Sequence, residues 1–489
     1  MTHIPPDIVS LFEADCDPDV ARAFVGIATE YMAQSRSRDG RVSTLHTPAG
    51  LAARFDEPLP RGGRPVDAII RRIRTEIIPD CNHLYHPHYV GHQVSAPLPI
   101  GVWMEPVTAA LNQSAAVFEM SPVGTVLEHR IVAWMCELAG FAADAGAGGT
   151  LTTGGTEATF TALLAARSVV IPDVWTNGVG SDPPVLLCGE HTHYAVTRAA
   201  GELGIGMRNV LPVRSREFKM DPEALRQALD SLARSGKRVM AVVATSGSTP
   251  TGSFDDLEAI AAACDDHGVW LHVDGAHGAA ALLSRKHRPR VRGLQRARSV
   301  ALDPHKMMLL PLQAGLLLVR HEFELDGAFS QRAPYLFQSH EGERVWDQGT
   351  RSFMCSRRVD AFKLWVTLQR YGADGLGELY DHLCDTTREM WEAIGERREF
   401  EALHEPECNI LCFRFVGDRA LTDAQVDQLN RELRERYNRS GEGWITGTNL
   451  DGRRVLRVTI MNPRTTFLDV ANVLDGLASR GREIVKELS

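Results

Sequence analysis

The hydrophobic rhythm of this chain changes twice. Residues 19–35, DVARAFVGIATEYMAQS, carry apolar side chains at helical spacing, and the Pro/Gly-rich LPRGGRP at 59–65 closes that first region. An amphipathic segment of this size cannot bury its own apolar face, so it predicts a helical arm lying on another domain or another subunit. From about residue 100 to 370 short, β-branched runs alternate with helical stretches. The runs PVLLCG (184–189), RVMAVVAT (238–245), VWLHVD (269–274), SVALD (299–303) and GLLLVR (315–320) predict strands. Between them lie stretches such as DPEALRQALDSLARSG and FDDLEAIAAACDDHG, each stopping at a glycine as helices do. This alternation predicts an α/β domain built on a mostly parallel sheet, whose ligands bind at the carboxyl ends of the strands. After YGADGLG (371–377) the runs NILCFRFV and RVLRVTIM and a closing helix near 467–480 predict a smaller α+β domain. The expected division is an arm at 1–100, a large domain at 101–370 and a small domain at 371–489. Between Arg320 and Phe353 lies a polar, weakly periodic stretch of the kind that forms a lid.

Composition narrows the function classes. At 489 residues, with 44% hydrophobic and 24% charged residues, the chain reads as a soluble globular protein. Its net charge of −9, with no block of lysine or arginine, argues against a nucleic-acid partner. Nine scattered cysteines, an odd number without a CxxC pair, fit reduced thiols and a cytoplasmic setting. The start, MTHIPPDIVSLFEADCD, lacks the basic and then apolar run of a signal peptide. The uncharged stretch Cys81–Met104 holds four histidines and three prolines, which disqualifies it as a membrane span. His83, His86, His88 and His92 could in principle hold zinc, but their crowding around prolines points to a loop entering an active site.

Four clusters carry candidate chemistry. In GTLTTGGTEATFTALLAAR (149–167) a glycine pair precedes Thr156, Glu157 and strong helix formers, a turn feeding a helix N-terminus that suits a phosphate. In GEHTHYAVTR, His191 and His193 follow a strand and offer either metal ligands or an aromatic pocket wall. In WLHVDGAHGAA, Asp274 ends an apolar strand and needs a cation or proton donor, and Gly275 and Ala276 leave room for something flat. In SVALDPHKMMLL, Lys306 ends a strand 32 residues after Asp274, about one crossover away, where a lysine can condense with an aldehyde. Each has a plainer reading alone: a capped turn, a polar strand end, a surface lysine. Together they are the parts that pyridoxal phosphate requires.

The motifs TTGGTEAT, HTHYAV, HVDGAHG, DPHK, CSRRVDAFKLW and LRVTIMNP occur in an order that resembles the group II pyridoxal phosphate-dependent amino acid decarboxylases, over roughly residues 45–478. This family includes the glutamate, cysteine sulfinate, 2,4-diaminobutyrate and aromatic amino acid enzymes. The resemblance implies the aspartate aminotransferase-like fold type I and a homodimer with a shared active site, the N-terminal arm wrapping its partner. It implies Lys306 as the covalent cofactor anchor, Asp274 as partner of the pyridine nitrogen, and Ala276 and His193 on the two ring faces. Gly155 and Thr156 become the phosphate cradle, with Thr249 and His305 as further cofactor contacts. Arg357 becomes the holder of the substrate carboxylate, and Gln93 a glutamine near the cofactor. The implied reaction is decarboxylation of a small polar L-amino acid to the amine and carbon dioxide.

Two departures stand out. The mobile loop of this family presents a tyrosine that serves in protonation at Cα, and SHEGERVWDQGTRSF (339–353) has none; Tyr335 sits nearer the loop's start. That leaves His193, a water or a residue of the other subunit as proton donor, and admits an oxygen-dependent route to an aldehyde. The family's asparagine before PHK is Asp303 here. HKMMLLPLQAG, YLFQ and CSRRVD resemble the glutamate and cysteine sulfinate branch, whereas HPHYVGHQVSAPLP and AVFEMSP resemble the bacterial diaminobutyrate branch. Aromatic substrates remain an alternative.

Overall fold

A computed structural model describes residues 9–10, 13, 15–34, 36–142, 145–329, 346–418 and 420–487. Tyr335 and residues 339–345 of the expected lid lie outside the described residues. The large sheet has seven strands: β1 (Gly148–Thr152), β2 (Val185–Gly189), β3 (Val210–Val213), β6 (Val239–Thr245), β7 (Trp270–Asp274), β8 (Ser299–Leu302) and β9 (Gly315–Val319). A two-stranded ribbon, β4 (Ser215–Arg216) with β5 (Lys219–Met220), follows β3. The sheet order is β1-β9-β8-β7-β6-β2-β3. Only β9 runs against the others, pairing antiparallel with both β1 and β8. The sheet is therefore mostly parallel, as the alternating pattern predicts.

The five expected strands are those with continuous apolar runs, because helices cover both faces of the sheet and every position in β2, β7, β8 and β9 is buried. Two strands carry no such run. β1 reads GGTLT, and its glycines serve close packing: a Cβ on Gly149 would lie 2.0 Å from the Leu317 carbonyl oxygen. β3 reads VLPV and sits at the sheet edge, where a proline is tolerated.

The C-terminal part forms a second sheet, ordered β10-β11-β13-β12, from β10 (Phe400–Ala402), β11 (Ile410–Phe415), β12 (Thr446–Leu450) and β13 (Arg453–Thr459). Helices Asp423–Ser440 and Phe467–Glu487 accompany it. The 35-residue helix Ala361–Gly395 leads from the large sheet toward it and turns at Gly372, whose φ of 67° suits glycine. YGADGLG thus lies within this helical structure, at its kink. At the N-terminus, helix Pro18–Gln34 buries only Ile27 and Met32. The segment after it is fastened to both sheets: Val90 N–H donates to Trp444 O, Ala96 N–H to Met461 O and Leu98 N–H to Leu309 O. No helix among the described residues is long and apolar enough to cross a membrane.

Candidate active site

The carboxyl ends of β2, β6, β7 and β8 and the turn after β1 open into one cavity of about 720 Å³. It gathers Gly155, Thr156, His193, Thr249, Asp274, Ala276, His305 and Lys306, which come from five separate stretches of sequence. Asp274 ends β7 and is buried, and among the described residues its Oδ1 accepts only the Ala276 N–H, at 3.2 Å. Burial pushes its carboxyl up from the ordinary range, against the opposing pull of Lys306 and His193. Lys306 follows β8 in a turn closed by its own N–H on Asp303 O. Its Nζ lies 3.0 Å from Asp303 Oδ2.

His305 accepts the Ala314 N–H at Nδ1, at 3.0 Å, which turns Nε2 toward Asp303. Burial lowers His305 and His193 below the usual imidazole value, so both are neutral near pH 7. Gly155 opens the helix Gly155–Val170 behind β1. A Cβ there would come within 2.6 Å of Ala276 Cβ, so only glycine lets helix start and ring-face residue meet. Just before it, Thr153 donates through both N–H and Oγ1 to Glu157 Oε2, at 2.7 Å each, and so fixes the turn.

Two expected residues stand elsewhere. Arg357 does not line the cavity; it is buried and paired with Glu128 at 2.8 Å, and it also donates to Ala115 O, Thr150 Oγ1 and Leu151 O. The expected holder of the substrate carboxylate thus has its charge met by Glu128 in this structure. Glu128→Gln is expected to leave that guanidinium buried without counter-charge and to cost about 3 kcal/mol in a denaturant melt. Gln93 also lies outside the cavity lining, with its Nε2 buried and without a hydrogen-bond partner among the described residues.

Two other residues were not singled out as site candidates from the sequence. His277 lines the cavity; its Nε2 meets Asn409 Oδ1 at 2.7 Å, and burial lowers its pKa to about 3. Asn409 Nδ2 donates to Ile460 O, which aims its Oδ1 at the imidazole and ties the small sheet to the cavity wall. Arg457, in β13, is buried and donates from Nε to Pro250 O, with longer contacts to Gly91 O and Thr446 Oγ1. Among the described residues no carboxylate lies within ion-pair distance of it, and its Nη2 has no acceptor. The available signal was an arginine between the apolar Leu456 and Val458, at the second position of LRVTIMNP.

A lysine and a buried acid facing one cavity at the carboxyl edge of a mostly parallel sheet place the protein among the fold type I pyridoxal phosphate enzymes. A family model described as the pyridoxal-dependent decarboxylase conserved domain matches residues 48–416. The chain is 30% identical over 470 residues to the acidic amino acid decarboxylase GADL1 of Bos taurus, covering 94% of this chain and 89% of the relative. It is 31% identical over 443 residues to the L-2,4-diaminobutyrate decarboxylase of Rhizobium meliloti, covering 89% and 86%. The crystal structure of mouse CSAD matches with a TM-score of 0.87 at 30% identity, covering 95% of this chain and 99% of that one. The chain belongs to the pyridoxal-dependent decarboxylase family and is an amino acid decarboxylase that uses pyridoxal phosphate.

Proposed function

We propose that the enzyme removes the α-carboxylate of a small acidic L-amino acid, of the glutamate, aspartate or cysteine sulfinate class, and releases the amine and carbon dioxide. The observation that carries this reading is Arg457, which stands behind the cavity lining rather than in it, its Nε 3.2 Å from the carbonyl of Pro250, the residue after the cavity's Thr249. A buried guanidinium without counter-charge is costly, and a substrate side-chain carboxylate or sulfinate supplies that charge. The cationic side chain of diaminobutyrate would be repelled by it. Gln93 Nε2, two residues from the Gly91 carbonyl that Arg457 contacts, is a second donor suited to an anion.

The pocket fits the cofactor. The Gly155 turn offers helix N–H groups with no side chain in the way, Asp274 is short of donors, and Lys306 stands beside the same cavity. Pyridoxal phosphate, when bound, supplies an aldehyde for the lysine and a protonated ring that accepts the electrons freed as carbon dioxide leaves. Lys306 would anchor it through Nζ, and Asp274 would keep the proton on its ring nitrogen. Ala276 and His193 would stand against the ring, and Gly155, Thr156, Thr249 and His305 would hold its phosphate end. Arg457 orients the substrate so that the α-carboxylate is the group released. His193, partly exposed at the cavity, relays a proton from solvent to Cα.

The proposal includes a homodimer with a shared site. Val107, Leu111, Phe118, Met120 and Val123 form a run of exposed apolar side chains that a second copy would cover. It also includes a cytoplasmic setting, supported by nine cysteines that are all free thiols.

A panel of L-amino acids, with carbon dioxide, oxygen and peroxide followed together, tests the reading. Acidic amino acids are expected to be turned over without oxygen uptake. Preference for diaminobutyrate or an aromatic substrate, or stoichiometric oxygen consumption, would overturn it.

A further inference from the structure

Asp303, three residues before Lys306, has so far been only a neighbour. Its N–H donates to Ala276 O at 3.1 Å, which pins it to the loop that follows Asp274. Its carboxylate is 2% exposed. Oδ2 lies 3.0 Å from Lys306 Nζ and 3.5 Å from His305 Nε2, while Oδ1 has no hydrogen-bond partner among the described residues. Gly155 makes room for it, since a Cβ at that position would stand 3.1 Å from Oδ2.

The surrounding charges leave Lys306 as its counter-ion. His193, His277 and His305 are all lowered, chiefly by burial, and are neutral near pH 7. Asp274 is a second acid in the same cavity, and Glu157 is engaged by Thr153. Lys363 acts on His305 from the helix behind, but its Nζ is held by Glu105 and Asp360 at 2.9 Å each. Among the described residues, then, the one lysine or arginine in ion-pair contact with Asp303 is Lys306.

We propose that Asp303 holds the proton on the Lys306 nitrogen once that nitrogen is bonded to the cofactor's aldehyde carbon, with loss of one water. A carboxylate beside the nitrogen favours its protonated form, and an amide of the same shape does not. The inference rests on the reading of Lys306 as the cofactor-bearing lysine. Because the family resemblance places asparagine at this position, Asp303→Asn introduces a side chain that the fold accepts.

The test needs no substrate. The visible absorption of cofactor-loaded wild-type and Asp303→Asn protein is followed from about pH 6 to about pH 10, where the yellow band gives way to a near-ultraviolet one as the nitrogen loses its proton. The midpoint is expected to fall by about one pH unit or more in Asp303→Asn. Asp303→Ser, which also removes the charge, is expected to shift it in the same direction. Coincident midpoints, a band that titrates in neither protein, or an Asp303→Asn protein that shows neither the yellow nor the near-ultraviolet band each overturn the proposal. A wild-type protein without the band removes the Lys306 reading as well, whereas a normal wild-type band with an unshifted variant removes only the role of Asp303.

Discussion

Lys306→Arg is expected to lower decarboxylation by about four orders of magnitude or more while leaving the protein folded, because the anchored geometry is lost. The choice of arginine matters. Lys306 sits 3.0 Å from the buried Asp303 carboxylate, and removing the positive charge would leave that acid without its cation. A guanidinium keeps the charge but is never neutral in a protein and cannot condense with an aldehyde. Lys306→Ala removes both charge and nucleophile, so it is expected to be inactive and also less stable. Carbon dioxide release measures the activity, thermal melts measure the fold, and borohydride reduction followed by mass analysis reports whether cofactor is covalently held. An arginine variant that retains more than a few per cent of activity would show that Lys306 is not the anchor.

The fold was legible where local pattern and burial agree. β2, β6, β7, β8 and β9 are sandwiched between helices, and burial on two faces demands the unbroken apolar runs that mark them. β1 was read as the approach to a turn because its glycines and threonines are chosen for backbone contact with β9, which no periodicity reveals. The cavity residues were legible for a related reason: each sits at a strand end with its motif around it. The two arginines were not. Arg357 and Arg457 both lie in family-like motifs, and what separates them is whether an acid meets the guanidinium. Glu128 neutralises Arg357 from 229 positions away in sequence, a contact that the chain reveals only when folded. His277 escaped for the same reason, since its partner Asn409 is 132 positions distant.

That difference between the arginines yields opposite expectations for one substitution. Arg457→Gln keeps a donor for the Pro250 carbonyl but removes the charge. Without substrate the variant is expected to be as stable as the parent or more so, because a buried unpaired cation has been taken out. Its kcat/KM for an acidic amino acid is expected to fall by roughly a thousandfold, about 4 kcal/mol, the scale of losing a desolvated charge pair. The cofactor absorption is expected to be unchanged, because the contacts of Arg457 are with Pro250, Gly91 and Thr446 rather than with Lys306 or Asp274. Arg357→Gln should do the reverse to the fold, since it strands Glu128 as an unpaired buried acid. Melting curves and kinetics on the two variants therefore separate a substrate-facing charge from a structural one. Should Arg457→Gln be destabilised yet retain normal kcat/KM, Arg457 is a structural cation and the acidic-substrate reading loses its support.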